Sequence, residues 1–316
     1  MGEKFTGGDK LIQQANALER NTNEKSFKTV ATYGYNFRPF CRFAFDKFHL
    51  QKISNIEGKH IRAYVKHMQE QGLSPSTIKS RLSAIRFFHR LAGGKKRLPD
   101  NKELDLEKRK VGKEDRAWTV DEVKAGMEVA KNMGRIDAYH AICIGYAFGL
   151  RVEEICRVRL EDIEKAMTND GLRVKGKGGQ IRIVPVEVEV QKNLLKYLYN
   201  YARNNHLLPR DYIISRNEKG GVEKKIDSLE NWMYTNRHKF TMQNRQNEAR
   251  DGMKPRSKDL TWHGLRYKRA QEQYAMYESE GRQNPKLMTS EILGHHRTDI
   301  TNIYLAELPQ GKKNQE

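Results

Sequence analysis

Apolar residues recur at three- and four-residue spacing from Ser26 to about Leu91, and this period constrains the fold more than any other feature. A period of about 3.6 residues places such side chains on one face of a helix, whereas a strand needs simple alternation. The apolar positions are Val30, Tyr33, Phe37, Phe40, Phe43, Ile61, Tyr64, Met68, Ile78, Leu82, Ile85 and Phe88. They predict a helical domain at residues 26–92.

Polar signals divide this domain into helices. Ser54 and Asn55 are candidate caps for a second helix, and Gly72 is typical of its end. Ser74 followed by Pro75 predicts the start of a third helix, because proline is tolerated at the first helical position.

The chain carries 59 Lys and Arg against 40 Asp and Glu, which gives a formal charge of +19. An excess of this size indicates a polyanionic partner, because each neutralised phosphate releases counterions. Lys79, Arg81 and Arg86 lie opposite the apolar face of the third helix and are candidates for DNA contact, with an ordinary solvated face as the alternative. A basic protein without a nucleic-acid partner and a protein of an anionic membrane surface are weaker interpretations.

Shifts in composition predict the other segments. Residues 1–25 are polar with a weak helical stripe, and form either an arm that docks on a partner subunit or a helix packed on its own domain. Residues 93–116 are charged and without period, which indicates a linker. A second domain at residues 117–308 opens with a capping box of Thr119 and Glu122, and residues 309–316 form a polar tail.

The three cysteines, Cys41, Cys143 and Cys156, are too few and too scattered for a disulfide framework, so a reducing compartment is expected. No apolar run follows the first residues, and no window approaches the roughly 18 apolar residues of a membrane span. We therefore expect a cytoplasmic protein, associated with the nucleoid if its partner is DNA, without membrane contact.

Residues 171–185 predict a β-hairpin, in which two β-rich runs flank a glycine-rich turn. Lys175 and Lys177 lie at or beside this turn, where a loop lysine can reach a phosphate. The glycines are not a P-loop, because no helix opening with Lys-Ser or Lys-Thr follows them. The predicted fold class is mainly α with a small antiparallel β-sheet.

Two helix starts of the second domain carry pairs of polar residues. Arg151 follows a buried helix, opens another and shares a face with Glu154, either as a functional pair or as a plain salt bridge. His263 and Arg266 lie in the first turns of a later helix, where free N–H groups and nearby cations such as Lys258 favour a phosphate. Lys258 is therefore a further candidate for DNA contact.

His295 and Tyr304 follow the last apolar helix, and each by itself is most simply a structural residue. Together with two arginines, another histidine and a loop lysine they indicate phosphoryl transfer. Arginines can hold the phosphate oxygens, lysine or histidine can supply a proton, and tyrosine can form a phosphoester. No carboxylate cluster or Cys/His set has metal-ligand spacing, so we expect neither metal nor cofactor.

These residues resemble the tyrosine recombinases, the phage-integrase family. The matching motifs are Gly-Leu-Arg-x-x-Glu at 149–154, Gly-Lys-Gly at 176–178, His-x-x-Arg at 263–266, Leu-Gly-His at 293–295 and Gly-Leu-Ser-x-Ser-Thr-Ile at 72–78. Tyr304 lies nine residues after His295, as the family pattern requires. The resemblance covers residues 26–308 and implies a helical core-binding domain and a catalytic domain that form a clamp around DNA.

The resemblance also implies a role for each site residue. Arg151 and Arg266 hold the scissile phosphate, Lys177 (or else Lys175) protonates the 5′ oxygen, His263 assists proton transfer, His295 bonds the phosphate, and Tyr304 attacks. Glu154 is expected to support the arginines. The chain departs from the family at Tyr267, where a histidine is usual, and this puts the local packing there in question.

The implied activity is site-specific recombination of double-stranded DNA through a covalent 3′-phosphotyrosyl intermediate and a Holliday junction, without metal or ATP. It implies a homotetramer on the DNA and leaves room for accessory DNA-bending or directionality proteins. The alternatives are DNA relaxation like that of a type IB topoisomerase and a non-catalytic DNA-binding protein on the same scaffold. The separate core-binding domain favours the recombinase.

Overall fold

The computed structural model describes residues 7–108, 112–169, 171–215, 217, 219–247, 250, 253–294 and 298–306. The chain divides into two compact units, Met1–Lys110 and Val111–Glu316. Apart from one two-stranded antiparallel sheet, the regular structure of the described residues is helical. The predicted fold class, mainly α with a small antiparallel sheet, is therefore confirmed.

The described residues of the first unit form four α-helices. They are α1 (Gly7–Asn21), α2 (Phe27–Phe48), α3 (Gly58–Glu70) and α4 (Pro75–Leu91). The start of α4 is as predicted, since the Ser74 hydroxyl accepts a hydrogen bond from Thr77 N at 3.2 Å. The predicted caps of the second helix were wrong. Ser54 and Asn55 lie in a short 3-10 turn, and Glu57 precedes α3 with its N–H donated to His60 Nδ1 at 2.9 Å.

One aromatic core holds the first unit together. Phe37 stacks on Phe88 with ring centroids 4.7 Å apart, and both side chains are fully buried. Leu11 and Ala15 of α1 are buried in the same core, so the described part of residues 1–25 packs on its own unit. Leu98, Leu104 and Leu106 also pack against this core, so the described residues up to 108 of the segment predicted as a linker are attached to the helices.

The second unit contains the remaining elements. They are α5 (Val120–Asn132), α6 (Ile136–Phe148), α7 (Val152–Ile155), α8 (Leu160–Asn169), β1 (Gly171–Lys175), β2 (Ile181–Pro185), α9 (Glu189–Asn204), α10 (Gly221–Asn236), α11 (Trp262–Ser279), α12 (Pro285–Ile292) and α13 (Thr298–Leu305). The apolar α6 is buried on most of its surface and packs against α5, α9 and α11. The core of the unit therefore lies around α6, and the helix that follows its C-terminal end starts from rigid structure.

Two predictions for this unit need correction. The β-rich residues 212–214 suggest a strand, but Tyr212 makes only an isolated bridge with Arg159. The apolar period at residues 228–240 suggests a helix, but α10 begins earlier, at Gly221, and ends at Asn236. The capping box at the start of α5 is as predicted, with Thr119 and Glu122 exchanging backbone-to-side-chain hydrogen bonds of 2.8 and 3.1 Å.

The hairpin predicted at residues 171–185 is present, with its glycine-rich turn. β1 and β2 pair antiparallel, from Gly171 opposite Pro185 to Lys175 opposite Ile181. Gly178 and Gly179 in the turn have φ angles of 73° and 81°, which glycine adopts without the steric cost that a Cβ adds. The tight turn therefore fixes the register that decides which way each strand residue points.

Candidate active site

Arg151 lies where two helices of the second unit meet. Gly149, the C-cap of α6, has a left-handed φ of 63°, and Arg151 is the N-cap of α7. The backbone N–H of Arg151 donates to Glu154 Oε2 at 2.9 Å, and its guanidinium donates to Oε1 at 3.0 Å. The Arg151 side chain is 35% exposed, so its position is fixed while part of it stays open to solvent.

The carboxylate of Glu154 is the centre of a charge network. Its side chain is only 1% exposed, and it accepts two more hydrogen bonds from Arg182, at 2.7 and 2.9 Å. Nη1 of Arg266 lies 4.0 Å from Oε2. Burial opposes ionisation, but the hydrogen bonds and charge of Arg182 and the N–H of Arg151 outweigh it, so that the pKa of Glu154 falls to about 2. One carboxylate therefore hydrogen-bonds two guanidinium groups and faces a third.

Arg266 on α11 is completely buried and joins the ends of two other helices. Its Nη1 donates to the carbonyl oxygen of Gly149 at 2.8 Å, and its Nη2 donates to the carbonyl oxygen of Leu293. Burial and, next, the charge of Arg151 lower the pKa of Arg266 to about 10, so the guanidinium is still charged at neutral pH. The two predicted arginines thus lie together in one electropositive corner.

Arg182 belongs to this corner, although no motif in the sequence points to it. Besides the two bonds to Glu154, its Nε donates to the carbonyl oxygen of Ile292 at 3.1 Å. Its neighbours Ile181 and Ile183 are 55% and 58% exposed, so the alternation along β2 turns the arginine inward. This inverted pattern, with apolar residues out and a cation in, becomes visible only when the strand is placed in the fold.

Tyr304 and His263 form the second half of the site. The Tyr304 hydroxyl lies 2.8 Å from His263 Nε2, and the Tyr304 side chain is 6% exposed. Burial and then the charges of Arg266, Arg151 and Arg116 lower the pKa of His263 to about 4. At neutral pH the ring is therefore neutral and has one nitrogen able to accept a proton. Arg266 also approaches this pair, with its Cζ 5.8 Å from the centroid of the Tyr304 ring.

Tyr267, the departure from the family pattern, packs on the candidate nucleophile. Its ring stacks on Tyr304 with centroids 4.4 Å apart and an interplanar angle of 28°, and its edge meets His263. Burial raises the pKa of Tyr267 to about 12, so it stays protonated. The residue therefore acts as an apolar wall for the Tyr304 ring.

The start of α11 is fixed by close packing. A Cβ at Gly264 would lie 2.4 Å from the carbonyl oxygen of Arg116 and 2.6 Å from the Trp118 ring, so only glycine fits. The indole N–H of Trp118 donates to the carbonyl oxygen of Thr261 at 2.9 Å. Thr261 stands at the N-cap position of α11, but its side chain makes no capping bond. The packing of Gly264 against Arg116 and Trp118, together with the Trp118 hydrogen bond, therefore sets the position of His263 and Arg266.

Two predicted catalytic residues are not located at the level of their side chains. Lys177 lies in the 3-10 turn Lys177–Gly179 of the hairpin, but the structure describes only its backbone, and His295 lies outside the described residues. Lys175, the alternative lysine, is exposed at the end of β1. The carbonyl groups of Ile292 and Leu293, bound by Arg182 and Arg266, fix the chain just before His295.

The residues predicted to contact DNA differ in how far they are already engaged. Arg86 donates to the carbonyl oxygen of Pro99 at 2.7 and 3.1 Å and to Asn101, so its guanidinium is largely committed within its own unit. Further contacts join Lys79 to the carbonyl oxygen of Glu107 at 2.5 Å, and Arg81 to the Tyr64 hydroxyl at 3.2 Å. Lys258, in the other unit, lines an open polar cavity of about 420 Å³ beside Arg237 and Arg245.

Among the described residues, no group of three or more His, Cys, Asp or Glu side chains is arranged to hold a metal ion. Within the same residues, no helix combines the length and apolar character that crossing a membrane requires.

Sequence comparison gives matches over both units. The protein-family model described as "Phage integrase family" matches residues 116–310, and the one described as "Phage integrase, N-terminal SAM-like domain" matches residues 18–96. The tyrosine recombinase XerD of Halalkalibacterium halodurans is 26% identical over 192 residues, which are 60% of this chain and 64% of that protein. The chain therefore aligns with less than two thirds of this curated relative.

Two solved structures are similar to this chain in fold. A lambda integrase tetramer bound to a Holliday junction gives a TM-score of 0.62 at 15% identity, covering 95% of this chain and 79% of that one. A XerH site-specific recombinase bound to its difH substrate, in a pre-cleavage complex, gives 0.55 at 16% identity, covering 97% and 95%. At these identities the similarity describes the fold.

Proposed function

This chain belongs to the phage integrase family, and from that premise we propose that it is a site-specific DNA recombinase that cleaves and rejoins strands through Tyr304. The observation that carries the proposal is the pair of Tyr304 and His263, 2.8 Å apart, beside the buried guanidinium of Arg266. The proposed nucleophile, the proposed proton acceptor and a cation suited to bind phosphate thus lie close together. The similarity to the tyrosine recombinase XerD supports the same activity.

The cleavage step follows from this arrangement. The phenolic oxygen of Tyr304 attacks the scissile phosphorus, and its proton passes to His263 Nε2. The bond between phosphorus and the 5′ oxygen breaks, and that oxygen takes a proton from Lys177. The products are a 3′-phosphotyrosyl link and a free 5′ hydroxyl. Because the link keeps the energy of the phosphodiester, a 5′ hydroxyl of a partner strand reverses the reaction without ATP.

Arg151 and Arg266 are proposed to hold the non-bridging oxygens of that phosphate. Charge that builds up on these oxygens in the transition state is stabilised most by cations fixed beforehand, because no reorganisation is then needed. The network around Glu154 fixes them in this way, with Arg151 held at 3.0 Å and left partly exposed. His295 is proposed to donate a further hydrogen bond to the phosphate.

A bound phosphate also changes the basicity of His263. The arginine charges that help to lower its pKa to about 4 are the same charges that bind the phosphate. An anion between Arg151 and Arg266 offsets their field, so the His263 pKa rises when DNA binds. The histidine is therefore proposed to become an effective proton acceptor only when substrate is present.

Double-stranded DNA is proposed as the partner, bound by both units. The formal charge of +19 supports it, and so do the DNA complexes of the lambda integrase and XerH structures. Because the lambda integrase neighbour is a tetramer on a Holliday junction, we propose a homotetramer that exchanges strands through such a junction. The proposed phosphate contacts are Lys79, Arg81, Lys175 and Lys258. Neutralising any one of them should reduce the steepness of the plot of log binding constant against log salt concentration by about one.

The test is covalent capture on a suicide substrate, which carries a nick near the cleavage site so that the released fragment is lost. Wild-type protein should form a DNA adduct that resists denaturant, and Tyr304→Phe should bind DNA with unchanged affinity and form none. Tyr267→Phe is the matched control, since it removes a neighbouring hydroxyl and keeps the stacked ring. An adduct with the Tyr304→Phe variant would exclude Tyr304 as the nucleophile. Plasmid relaxation without site exchange would favour the topoisomerase alternative.

A further inference from the structure

The C-terminal end of α13, the helix that carries Tyr304, is held by groups outside the helix. The last carbonyls of an α-helix have no partner within it. Here the Tyr304 carbonyl oxygen accepts a hydrogen bond from Gln271 Nε2 at 3.1 Å. The Ala306 carbonyl oxygen accepts one from Lys254 N at 2.9 Å. Ala306 has a left-handed φ of 56°, so the chain turns sharply where these bonds are made.

Gln271 and Lys254, which hold the end of α13, are both connected through hydrogen bonds and an ion pair to the carboxylate of Asp115. The second proton of the Gln271 amide is donated to Asp115 Oδ1 at 2.9 Å. Asp115 is completely buried, and its Oδ2 pairs with Arg250 Nη1 at 2.7 Å. Arg250 Nη2 in turn donates to the Lys254 carbonyl oxygen at 2.7 Å. Two arms therefore extend from Asp115, one through Gln271 and one through Arg250 and Lys254.

The geometry points to a clasp in which Asp115 and Gln271 are positioning residues for Tyr304, an inference that rests on the proposed function. The side chain of Tyr304 is held by His263 and Tyr267, and the clasp holds the backbone of the same residue. With both ends fixed, the phenolic oxygen is aligned before DNA arrives.

The clasp is expected to matter for attack and not for the reverse reaction. In-line attack depends steeply on alignment, and a misplacement of about 1 Å can cost on the order of a hundredfold in rate. In the covalent intermediate the phosphodiester itself ties Tyr304 to the DNA, and the DNA is held by the arginines. Loss of the clasp should therefore slow cleavage and leave rejoining unchanged.

The experiment compares two glutamines of α11. Gln271→Met keeps the length of the side chain and removes both donors to the clasp. Gln273→Met is the matched control, because Gln273 is 2% exposed and donates to Glu187, a residue outside the clasp, at 2.7 Å. Single-turnover cleavage is measured on a suicide substrate. Rejoining is measured by adding an oligonucleotide with a free 5′ hydroxyl to the isolated covalent complex.

Gln271→Met should cleave about fivefold more slowly than wild type, the factor corresponding to about one lost hydrogen bond. Its rejoining rate and DNA affinity should be unchanged, and Gln273→Met should cleave at the wild-type rate. Equal slowing of cleavage and rejoining, equal slowing in the Gln273 variant, or no slowing at all would overturn the clasp. Absence of a covalent complex with wild-type protein would instead overturn the proposed function.

A second variant keeps the inference testable if Gln271→Met does not fold. Gln271→Glu preserves size and polarity, but a carboxylate cannot donate to the Tyr304 carbonyl and faces the Asp115 anion. It should show the same selective loss of cleavage, and wild-type cleavage by this variant would count against the clasp.

Discussion

Replacing Glu154 by glutamine tests the charge network most directly. The change keeps the shape of the side chain and removes the negative charge that faces Arg151, Arg182 and Arg266. The pKa of Glu154 is lowered from 4.5 to about 2, which corresponds to about 3 kcal/mol in favour of the ionised form. The glutamine amide also turns an N–H₂ group toward an arginine. We therefore expect the free energy of unfolding of the second unit to fall by about 3 kcal/mol.

The assay can observe this unit alone. The chain has three tryptophans, Trp118, Trp232 and Trp262, and all of them lie in the second unit. Tryptophan fluorescence during thermal unfolding therefore reports its stability without cutting the chain. For a unit of this size, about 3 kcal/mol corresponds to a fall in Tm of about 6–12 °C.

The pH dependence gives the control. A carboxylate with a lowered folded-state pKa stabilises the protein above its ordinary pKa of 4.5, and that contribution is lost as the pH falls toward about 2. The difference in Tm between wild type and Glu154→Gln should therefore be largest near neutral pH and become smaller below about pH 4.5. An equal Tm near neutral pH, or a gap that does not narrow in acid, would refute the assignment of Glu154 as the anion that holds the three arginines.

Three further predictions follow from single contacts. Arg182→Met keeps the aliphatic stem but loses the bonds to Glu154 and the Ile292 carbonyl, so suicide-substrate cleavage should slow by about tenfold or more while filter-binding affinity is unchanged. The pKa of His263 is lowered to about 4, so the neutral ring favours folding above pH 6.5, and this contribution is lost as the pH falls toward 4. In thermal unfolding, the Tm of His263→Gln should therefore fall less over that pH range than the Tm of wild type. Gly264→Ala should destabilise the second unit by about 1–3 kcal/mol in urea unfolding, because the added methyl group meets the Arg116 carbonyl. An unchanged urea midpoint would contradict this prediction, because it would show that the backbone at Arg116 moves aside at no cost in stability.

The sequence predicted those parts of the fold that depend on neighbouring residues. The helical period from Ser26 to Leu91, the Ser74 cap and the hairpin at residues 171–185 all follow from contacts between residues that are near each other in the chain. Where such signals compete, the prediction was wrong. Ser54 and Asn55 are good caps by type, but the buried Ile53 and Ile56 draw that segment into a 3-10 turn, and α3 starts only at Gly58.

The candidate site could be predicted in its residue types and not in its connections. Arg151, Arg266, His263 and Tyr304 were selected by motif and spacing. Arg182 was not, because an arginine in a strand is ordinary until the partner on its inward side is known. The face-on packing of Tyr267 against Tyr304 was equally out of reach, since the rings come from two helices.

By itself, the sequence determined which side chains are available and which helix or strand carries each of them. Short-range hydrogen bonding and the apolar period set these assignments, and they act over three or four residues. Only the tertiary structure decided that Arg266 reaches the Gly149 carbonyl 117 positions away and that Asp115 reaches Gln271 over 156. Such pairs depend on how helices pack around α6, because burial makes a polar group bond to whatever partner the packing brings near.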